Sequence, residues 1–239
     1  MIVDIFIPCF IDQIYPGTAR SMIRVLEKAG CSVNYNPDQT CCGQPAFNAG
    51  FREQGKEVGE KFIKDFLNDR PIVCPSASCV GMVCNYYPEM FHNTSLHNEY
   101  KQVQKNMIEF SDFLVNVLKV EDIGAELHGI ATYHDSCSAL RECNIKETPR
   151  TLLRKVKGLE FREMNDTETC CGFGGTFAMK YEAISVGMAE QKVANATKSG
   201  ASIMVSTDIS CLMHLNSYIK AQNKNIQVMH LADVLASGL

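Results

Sequence analysis

Short apolar runs alternate along the chain with longer stretches in which apolar residues recur at helical spacing. The runs are rich in β-branched side chains and predict strands at 2–8, 31–35, 71–74, 129–134, 159–164, 202–206 and 226–229. The longer stretches predict helices at 18–29, 44–67, 107–118, 149–155, 177–198 and 231–236, with a polar connector at 89–105. Strands that alternate with helices indicate parallel β-α units, and hence an α/β fold.

The order of predicted strands and helices repeats after about residue 120, and the spacing of the cysteines repeats with it. Four cysteines map onto four others at offsets of 128, 129, 129 and 132 residues, namely Cys9 on Cys137, Cys41 on Cys170, Cys42 on Cys171 and Cys79 on Cys211. An internal repeat of this kind is stronger evidence about the fold than secondary structure predicted from local sequence. It predicts two tandem, similar parallel-sheet domains, 1–120 and 121–239, related by pseudo-twofold duplication.

Composition narrows the class of protein. The chain has 239 residues, 46% of them hydrophobic, and a net charge of −4, which argues against nucleic acid as a partner. The N-terminal apolar run contains Asp4 and has no basic residue before it, so it is interpreted as a buried strand rather than a signal peptide. No apolar run approaches the roughly 18 residues of a membrane span. Twelve cysteines in such a chain do not indicate a disulfide framework, which is typical of small secreted domains.

The repeated Cys-Cys-Gly motif carries the candidate chemistry. Adjacent thiols rarely pair with each other but can both bind one metal centre. Each predicted domain supplies a cysteine after its first strand, a pair after its second and one after its third, and the carboxyl ends of parallel strands share one edge. Four convergent thiolates suit an iron–sulfur cluster or a structural zinc ion. Structural zinc sites usually take their cysteines from short Cys-x2-Cys motifs. Here the cysteines of each site are spread over a whole domain, and the arrangement occurs twice, which favours an iron–sulfur cluster over zinc.

These motifs resemble the cysteine-rich family named for its Cys-Cys-Gly motif, which includes a subunit of heterodisulfide reductase and the iron–sulfur subunit of glycolate oxidase. The spacings are Cys-x31-Cys-Cys-Gly-x35-Cys and Cys-x32-Cys-Cys-Gly-x38-Cys. The segments 133–137 and 170–175 are most similar to its short lactate-utilisation branch. The resemblance implies one or two iron–sulfur clusters, of the 4Fe-4S type, with zinc as a substitute. It also implies a cytoplasmic redox subunit of a lactate-oxidising complex, working with partners that include a larger iron–sulfur protein.

The chain departs from the family at the last position of each repeat. Family repeats often end in Cys-x-x-Cys, whereas this chain has Met82 and His214 there. The expected ligands are therefore four per domain: Cys9, Cys41, Cys42 and Cys79, and Cys137, Cys170, Cys171 and Cys211. Cys74 and Cys84 are either substitute ligands or buried structural thiols.

The sequence also predicts the roles of several residues outside the eight expected ligands. His134 and His214 are predicted to act beside the second centre without being required as ligands. Asp135 is predicted to cap a helix, and the aromatic and methionine side chains of 177–188 are predicted to be core. Cys31 and Cys143 are predicted not to be ligands.

The resemblance implies two functions, and the cysteine pattern leaves a third open. The first is electron transfer within a lactate-oxidising system, as a redox subunit rather than a complete enzyme. The second is thiol–disulfide chemistry of the heterodisulfide reductase kind, and the third is a zinc-binding structural module.

Overall fold

The architecture was obtained as a computed structural model that describes residues 1–239. Eight strands form two sheets, namely β1 (Ile2–Ile5), β2 (Ser32–Tyr35), β3 (Ile72–Cys74), β4 (Met107–Glu109), β5 (Glu126–Tyr133), β6 (Lys157–Phe161), β7 (Ile203–Ser206) and β8 (Gln227–His230). The strand orders are β2-β1-β3-β4 and β6-β5-β7-β8, and every pair is parallel. The two sheets thus have the same topology, which confirms the α/β prediction and is consistent with tandem duplication.

Helices connect the strands. The first seven, all in the first half, are α1 (Cys9–Ile14), α2 (Pro16–Lys28), α3 (Gln44–Asn48), α4 (Arg52–Asp65), α5 (Ala77–Gly81), α6 (Tyr87–Phe91) and α7 (His97–Asn106). The six that follow are α8 (Phe110–Asp112), α9 (Glu147–Leu153), α10 (Thr176–Lys180), α11 (Glu182–Lys198), α12 (Ile209–Ala221) and α13 (Leu231–Leu235). Three π-helical segments complete the set, Met82–Tyr86, Phe113–Val117 and Ser138–Glu142.

Two predicted helices are interrupted. The predicted helix 44–67 is divided into α3 and α4, and Gly50 between them has a φ of 91°, a value that few other residues adopt. The predicted helix 177–198 is divided at Tyr181, whose φ of −131° lies outside the helical region. Both breaks directly follow a Cys-Cys-Gly loop and one short helix.

The segment 89–105 was predicted wrongly, and the helix predicted at 107–118 was wrong only at its start, because α8 and a π-helical segment occupy 110–117. The first contains α6 and α7, whose few apolar residues include the buried Phe91, Tyr100 and Val103. Because polar residues fill the solvent side of these helices, composition alone indicated a connector. The second begins with strand β4, since pairing with β3 overrides the helical spacing of its apolar residues.

The two halves pack against each other reciprocally. In one contact α2 packs on α13, where the Thr18 hydroxyl donates to Asp233 Oδ2 at 2.8 Å. In the other α8 packs on α9, with Ser111 Oγ and Thr148 Oγ1 2.9 Å apart. The largest apolar core contains residues of both halves, among them Val3 and Leu235. The halves therefore share a core, and the boundary after residue 120 stays a prediction.

The parallel strands bring the Cys-Cys-Gly loops to the carboxyl edge of each sheet. Every crossover returns to the opposite edge, so the loops that leave β1, β2 and β3 lie on the same side, and the second sheet repeats this arrangement. None of the helices has the length and apolar character that crossing a bilayer requires.

Candidate functional site

The first group of sulfurs lies where three strands of the N-terminal sheet end. Cys9 begins α1, and its Sγ is 3.8 Å from the Sγ of Cys41. Cys41 also interacts with its neighbour Cys42, and the thiols of Cys42 and Cys79 interact in turn. The four sulfurs thus form a continuous series of neighbours at one edge of the sheet.

Gly43 allows the Cys-Cys-Gly loop to pack closely against α4. Its backbone N–H donates to Cys41 Sγ at 3.4 Å, and its φ is 85°. A Cβ atom at this position would lie 2.7 Å from the carbonyl oxygen of Gly55 in α4. Only glycine provides both the positive φ and the close approach, so the Cys-Cys-Gly motif has a steric origin.

The second group repeats this geometry in the C-terminal half. Cys137 interacts with Cys170, Cys170 with Cys171, and Cys171 with Cys211. The backbone N–H groups of Gly172 and Phe173 donate to Cys170 Sγ at 3.4 Å and Cys171 Sγ at 3.5 Å. Amide donors aimed at sulfur stabilise thiolate over thiol.

A polar contact from α11 and α12 supports the second loop. Gly172 has a φ of 95°, and a Cβ there would lie 2.6 Å from the carbonyl oxygen of Ser185. The Ser185 hydroxyl donates to Gly172 O at 2.7 Å and lies 3.2 Å from His214 Nε2. His214 therefore contacts the loop through Ser185, as a residue that positions the turn.

Both sulfur groups open into one cleft of about 560 Å³ between the halves. The cleft is lined by all eight predicted ligands, namely Cys9, Cys41, Cys42, Cys79, Cys137, Cys170, Cys171 and Cys211. Phe10 and Phe173 meet edge-to-face at its side, with ring centroids 6.0 Å apart. The two repeats thus contribute to one shared cavity.

The chemistry of these donors fits a thiophilic metal ion or a metal–sulfur cluster. All twelve cysteines are free thiols. The neighbouring Cys41 thiol and burial raise the pKa of Cys9, and contact with Cys42 raises the pKa of Cys41 to about 11. Thiols packed this closely repel one another when ionised, and a bound cation removes that repulsion as it displaces the protons.

Charge is distributed unevenly in the second group. Hydrogen bonds from the thiols of Cys137 and Cys171, together with the Gly172 amide, hold the pKa of Cys170 far below its usual range. The contacts with Cys170 and Cys211 raise the pKa of Cys171. Within this group the thiolate form is therefore best stabilised at Cys170.

Two buried basic side chains stand beside this group. Burial lowers the pKa of His134 to about 3 and that of Lys192 to about 8. Lys192 is 1% exposed, and its ammonium donates to the carbonyl oxygens of Asp166 and Thr167, in the loop that leads to Cys170. Lys192 thus both fixes the loop and places a positive charge near the thiolates.

Asp135 does not cap a helix, so that prediction was wrong. Its carboxylate is fully buried and forms a bidentate pair with Arg150, with N–O distances of 2.8 and 2.7 Å. The Asp135 N–H also donates to Thr167 O at 3.2 Å. A buried ion pair of this geometry ties the start of the Cys137 loop to α9.

The remaining cysteines lie outside the cleft lining. Cys31 is buried in the shared apolar core, and Cys143 Sγ donates to Ala77 O at 3.4 Å. Cys84 Sγ faces Gln104 O at 3.8 Å, whereas Cys74 interacts with Cys79 and is fully buried. Only Cys74 of these four therefore adjoins a predicted ligand.

Sequence reasoning missed Lys192 and Arg150. Lys192 occurs on the buried face of α11 with Ser185, Ala189 and Val193, so a lysine at an apolar helical position was the available signal. Arg150 gave no comparable signal, because its partner is 15 positions away. The prediction that the aromatic and methionine side chains of 177–188 are core was also wrong, because Met179 and Tyr181 are 87% and 55% exposed.

The fold and site define an α/β protein with two repeated four-cysteine sites, and the chain belongs to the CCG cysteine-rich domain family, which matches residues 3–84 and 131–216. It is 40% identical over 240 residues to lactate utilization protein A 2 of Bacillus cereus, covering 100% of this chain and 99% of the relative. It is 41% identical over 237 residues to lactate utilization protein A of Shouchella clausii, covering 99% of each.

A solved structure supports the fold independently. The crystal structure of a hypothetical protein from Helicobacter pylori superposes with a TM-score of 0.64 at 12% identity. The match covers 100% of this chain and 49% of that one, so this chain spans about half the length of that protein.

Proposed function

We propose that this protein is an iron–sulfur electron-transfer subunit of an L-lactate oxidation complex. The observation that carries the proposal is the convergence of eight cysteines from two repeats in one cleft. The full-length similarity to relatives named lactate utilization protein A supports the metabolic assignment.

In this proposal each half holds one centre with its four cysteines. A cluster of the 4Fe-4S type would supply one-electron redox chemistry at each set of thiolates. The chain contributes the ligands and the amides of Gly43, Gly172 and Phe173, which donate to sulfur. Hydrogen bonds to sulfur and burial are the protein's means of setting a potential.

The shared cleft suits transfer between centres and to partners. Phe10 and Phe173 cover part of its side, while Met179 at its rim is 87% exposed. We infer that other subunits of the complex, including a larger iron–sulfur protein, exchange electrons with this cleft in the cytoplasm. Oxidation of lactate to pyruvate releases two electrons, which two one-electron centres accept.

Anaerobic purification tests the proposal directly. The protein should be brown, contain iron and acid-labile sulfide, and bleach on reduction with dithionite. When mixed with its partner subunits, it should also bleach on addition of L-lactate. A brown protein that no lactate system reduces would contradict the metabolic role, and a colourless protein without iron would contradict the cluster.

One observation favours a zinc site as a second candidate. The Cys9 and Cys41 sulfurs are 3.8 Å apart, and ligands at about 2.3 Å from one tetrahedral ion are separated by about 3.8 Å. Zinc would make the two sites structural. Metal analysis distinguishes the candidates, because a zinc-loaded protein has neither a visible chromophore nor sulfide.

A further inference from the structure

His134 is an imidazole without a partner in the interior of the protein. The residue is 0% exposed, and neither Nδ1 nor Nε2 has a partner with hydrogen-bond geometry, although the Thr167 backbone lies beside the ring. Its backbone, by contrast, is fully engaged: the N–H donates to Val205 O at 2.8 Å, and the carbonyl accepts from Ser206 Oγ at 3.0 Å. Buried polar side chains almost always have partners, so two unpaired ring nitrogens require an explanation.

The unpaired ring adjoins the second group of sulfurs. A ring nitrogen of His134 and the Sγ atoms of Cys171 and Cys211 all lie within 4.8 Å of one another. All three residues are buried. A neutral imidazole nitrogen beside thiolates is a frequent donor combination in metal sites.

The first half shows that this position does not need a histidine for folding. The offset of 128 residues that relates Cys9 to Cys137 places Phe6 opposite His134. Phe6 is also fully buried, and it packs edge-to-face on Phe62 and Phe66 with centroids 4.8 and 5.7 Å away. In the first half an apolar aromatic ring fills this core position, whereas in the second half the equivalent position holds an imidazole with two ring nitrogens.

We propose that His134 is a direct nitrogen ligand of the metal centre at the second site. The first centre then has sulfur ligands only, and the second has both sulfur and nitrogen ligands. This assignment rests on the proposed function only in requiring that the second site bind a metal. The two centres are consequently inequivalent, although their loops are repeats.

Cadmium-113 NMR tests the assignment. The full-length protein, labelled with nitrogen-15 in its histidines, is reduced and loaded anaerobically with cadmium-113 ions alone. The second-site resonance is identified by its loss in Cys171→Ser. It should be split by a one-bond coupling to nitrogen-15, and the splitting should vanish in His134→Phe while the cadmium stays bound. His214→Asn serves as the matched control and should keep the splitting.

Three results would overturn the proposal: an unsplit second-site resonance, a splitting that survives in His134→Phe, or no cadmium at the second site. If His134→Phe does not fold, His134→Gln replaces it, and the splitting in the unsubstituted protein still decides whether a histidine binds. A split resonance in a protein that takes up no iron would leave this assignment standing and contradict the proposed cluster.

Discussion

Ser78 and Asp208 join the two sulfur sites to each other. The backbone N–H of Ser78 donates to Asp208 Oδ2 at 3.1 Å, across a sequence separation of 130 residues. Ser78 directly precedes Cys79, and Asp208 directly precedes α12, which carries Cys211. Asp208 is 2% exposed, whereas Ser78 is half-buried and both residues line the cleft, so this contact between the halves is partly buried. One hydrogen bond between the halves therefore connects the segments that carry Cys79 and Cys211.

Gly172→Ala should disrupt the second site. The added Cβ would meet Ser185 O at 2.6 Å, and alanine is strained at a φ of 95°. We expect a loss of about 1–3 kcal/mol in the free energy of unfolding and less bound metal. Urea unfolding and metal analysis measure the two effects.

Gly187→Ala in α11 is the matched control for that substitution. Nothing lies within 4 Å of its added Cβ, and alanine favours a helix, so stability should be unchanged or slightly higher. Equal losses in the two variants would contradict the steric account of the Cys-Cys-Gly turn.

Arg150→Met should destabilise the fold strongly. The substitution leaves the carboxylate of Asp135 buried without its partner, which costs about 3–5 kcal/mol. Arg154→Met removes an exposed pair with Glu147 at 3.8 Å and should cost less than about 1 kcal/mol. Thermal or urea unfolding of both variants gives the comparison, and similar small losses would show that the buried pair does not anchor the Cys137 loop.

Glu109 should make stability depend on pH. Burial raises the pKa of its carboxyl in the folded protein to about 7, from an ordinary value of 4.5. The folded state then holds a proton that the unfolded state has released, so this contribution is fully present below pH 4.5 and is lost as pH rises through 7. The loss amounts to about 3 kcal/mol.

Glu109→Gln isolates that effect, because glutamine can still accept from the N–H groups of Ser111 and Asp112. The unfolding free energy of the unsubstituted protein minus that of the variant should fall between pH 4.5 and 7. A difference that stays constant over this range would contradict a buried, protonated Glu109.

Cys171→Ala should remove more iron than His214→Ala. The Cys171 sulfur accepts from the Phe173 amide within the sulfur group, whereas His214 contacts Ser185 and the Phe173 ring beside that group. We expect His214→Ala to keep most of the iron and to shift the potential of the second centre. Iron content and a redox titration, both anaerobic, check this. Complete loss of iron in His214→Ala would mean that the imidazole itself is required.

The cysteine spacing, together with the alternation of strand and helix patterns, predicted the duplicated parallel sheets and named the eight residues that line the cleft. It could do so because strand order places the loops after β1, β2 and β3 at one edge. The spacing could not reveal the partners that fix those loops. Lys192 reaches the loop before Cys170 across 25 residues, and Asp208 pairs with Ser78 across the two halves. Such contacts depend on how the halves dock, and no local pattern in the sequence encodes that geometry.

The repeat also explains one error. Strand β4 is the counterpart of β8 in the repeat. The sequences MIEFSDFL, from Met107, and VMHLADVL, from Val228, are similar and indicate the same correspondence. The helical spacing of the apolar residues in 107–118 is a competing local signal, and it predicted that a helix begins at residue 107. Edge-strand pairing with β3 decided the outcome, since it buries Met107.

The iron content of single and double cysteine variants tests the central claim most directly. Cys41→Ser and Cys170→Ser should each lose about half of the iron and sulfide of the anaerobic protein, because each removes one four-cysteine centre. The double variant should lose all of it, and Cys31→Ser, altered in the shared core, should lose none. Iron retained by the double variant, or lost by Cys31→Ser, would contradict the account of two four-cysteine centres in one cleft.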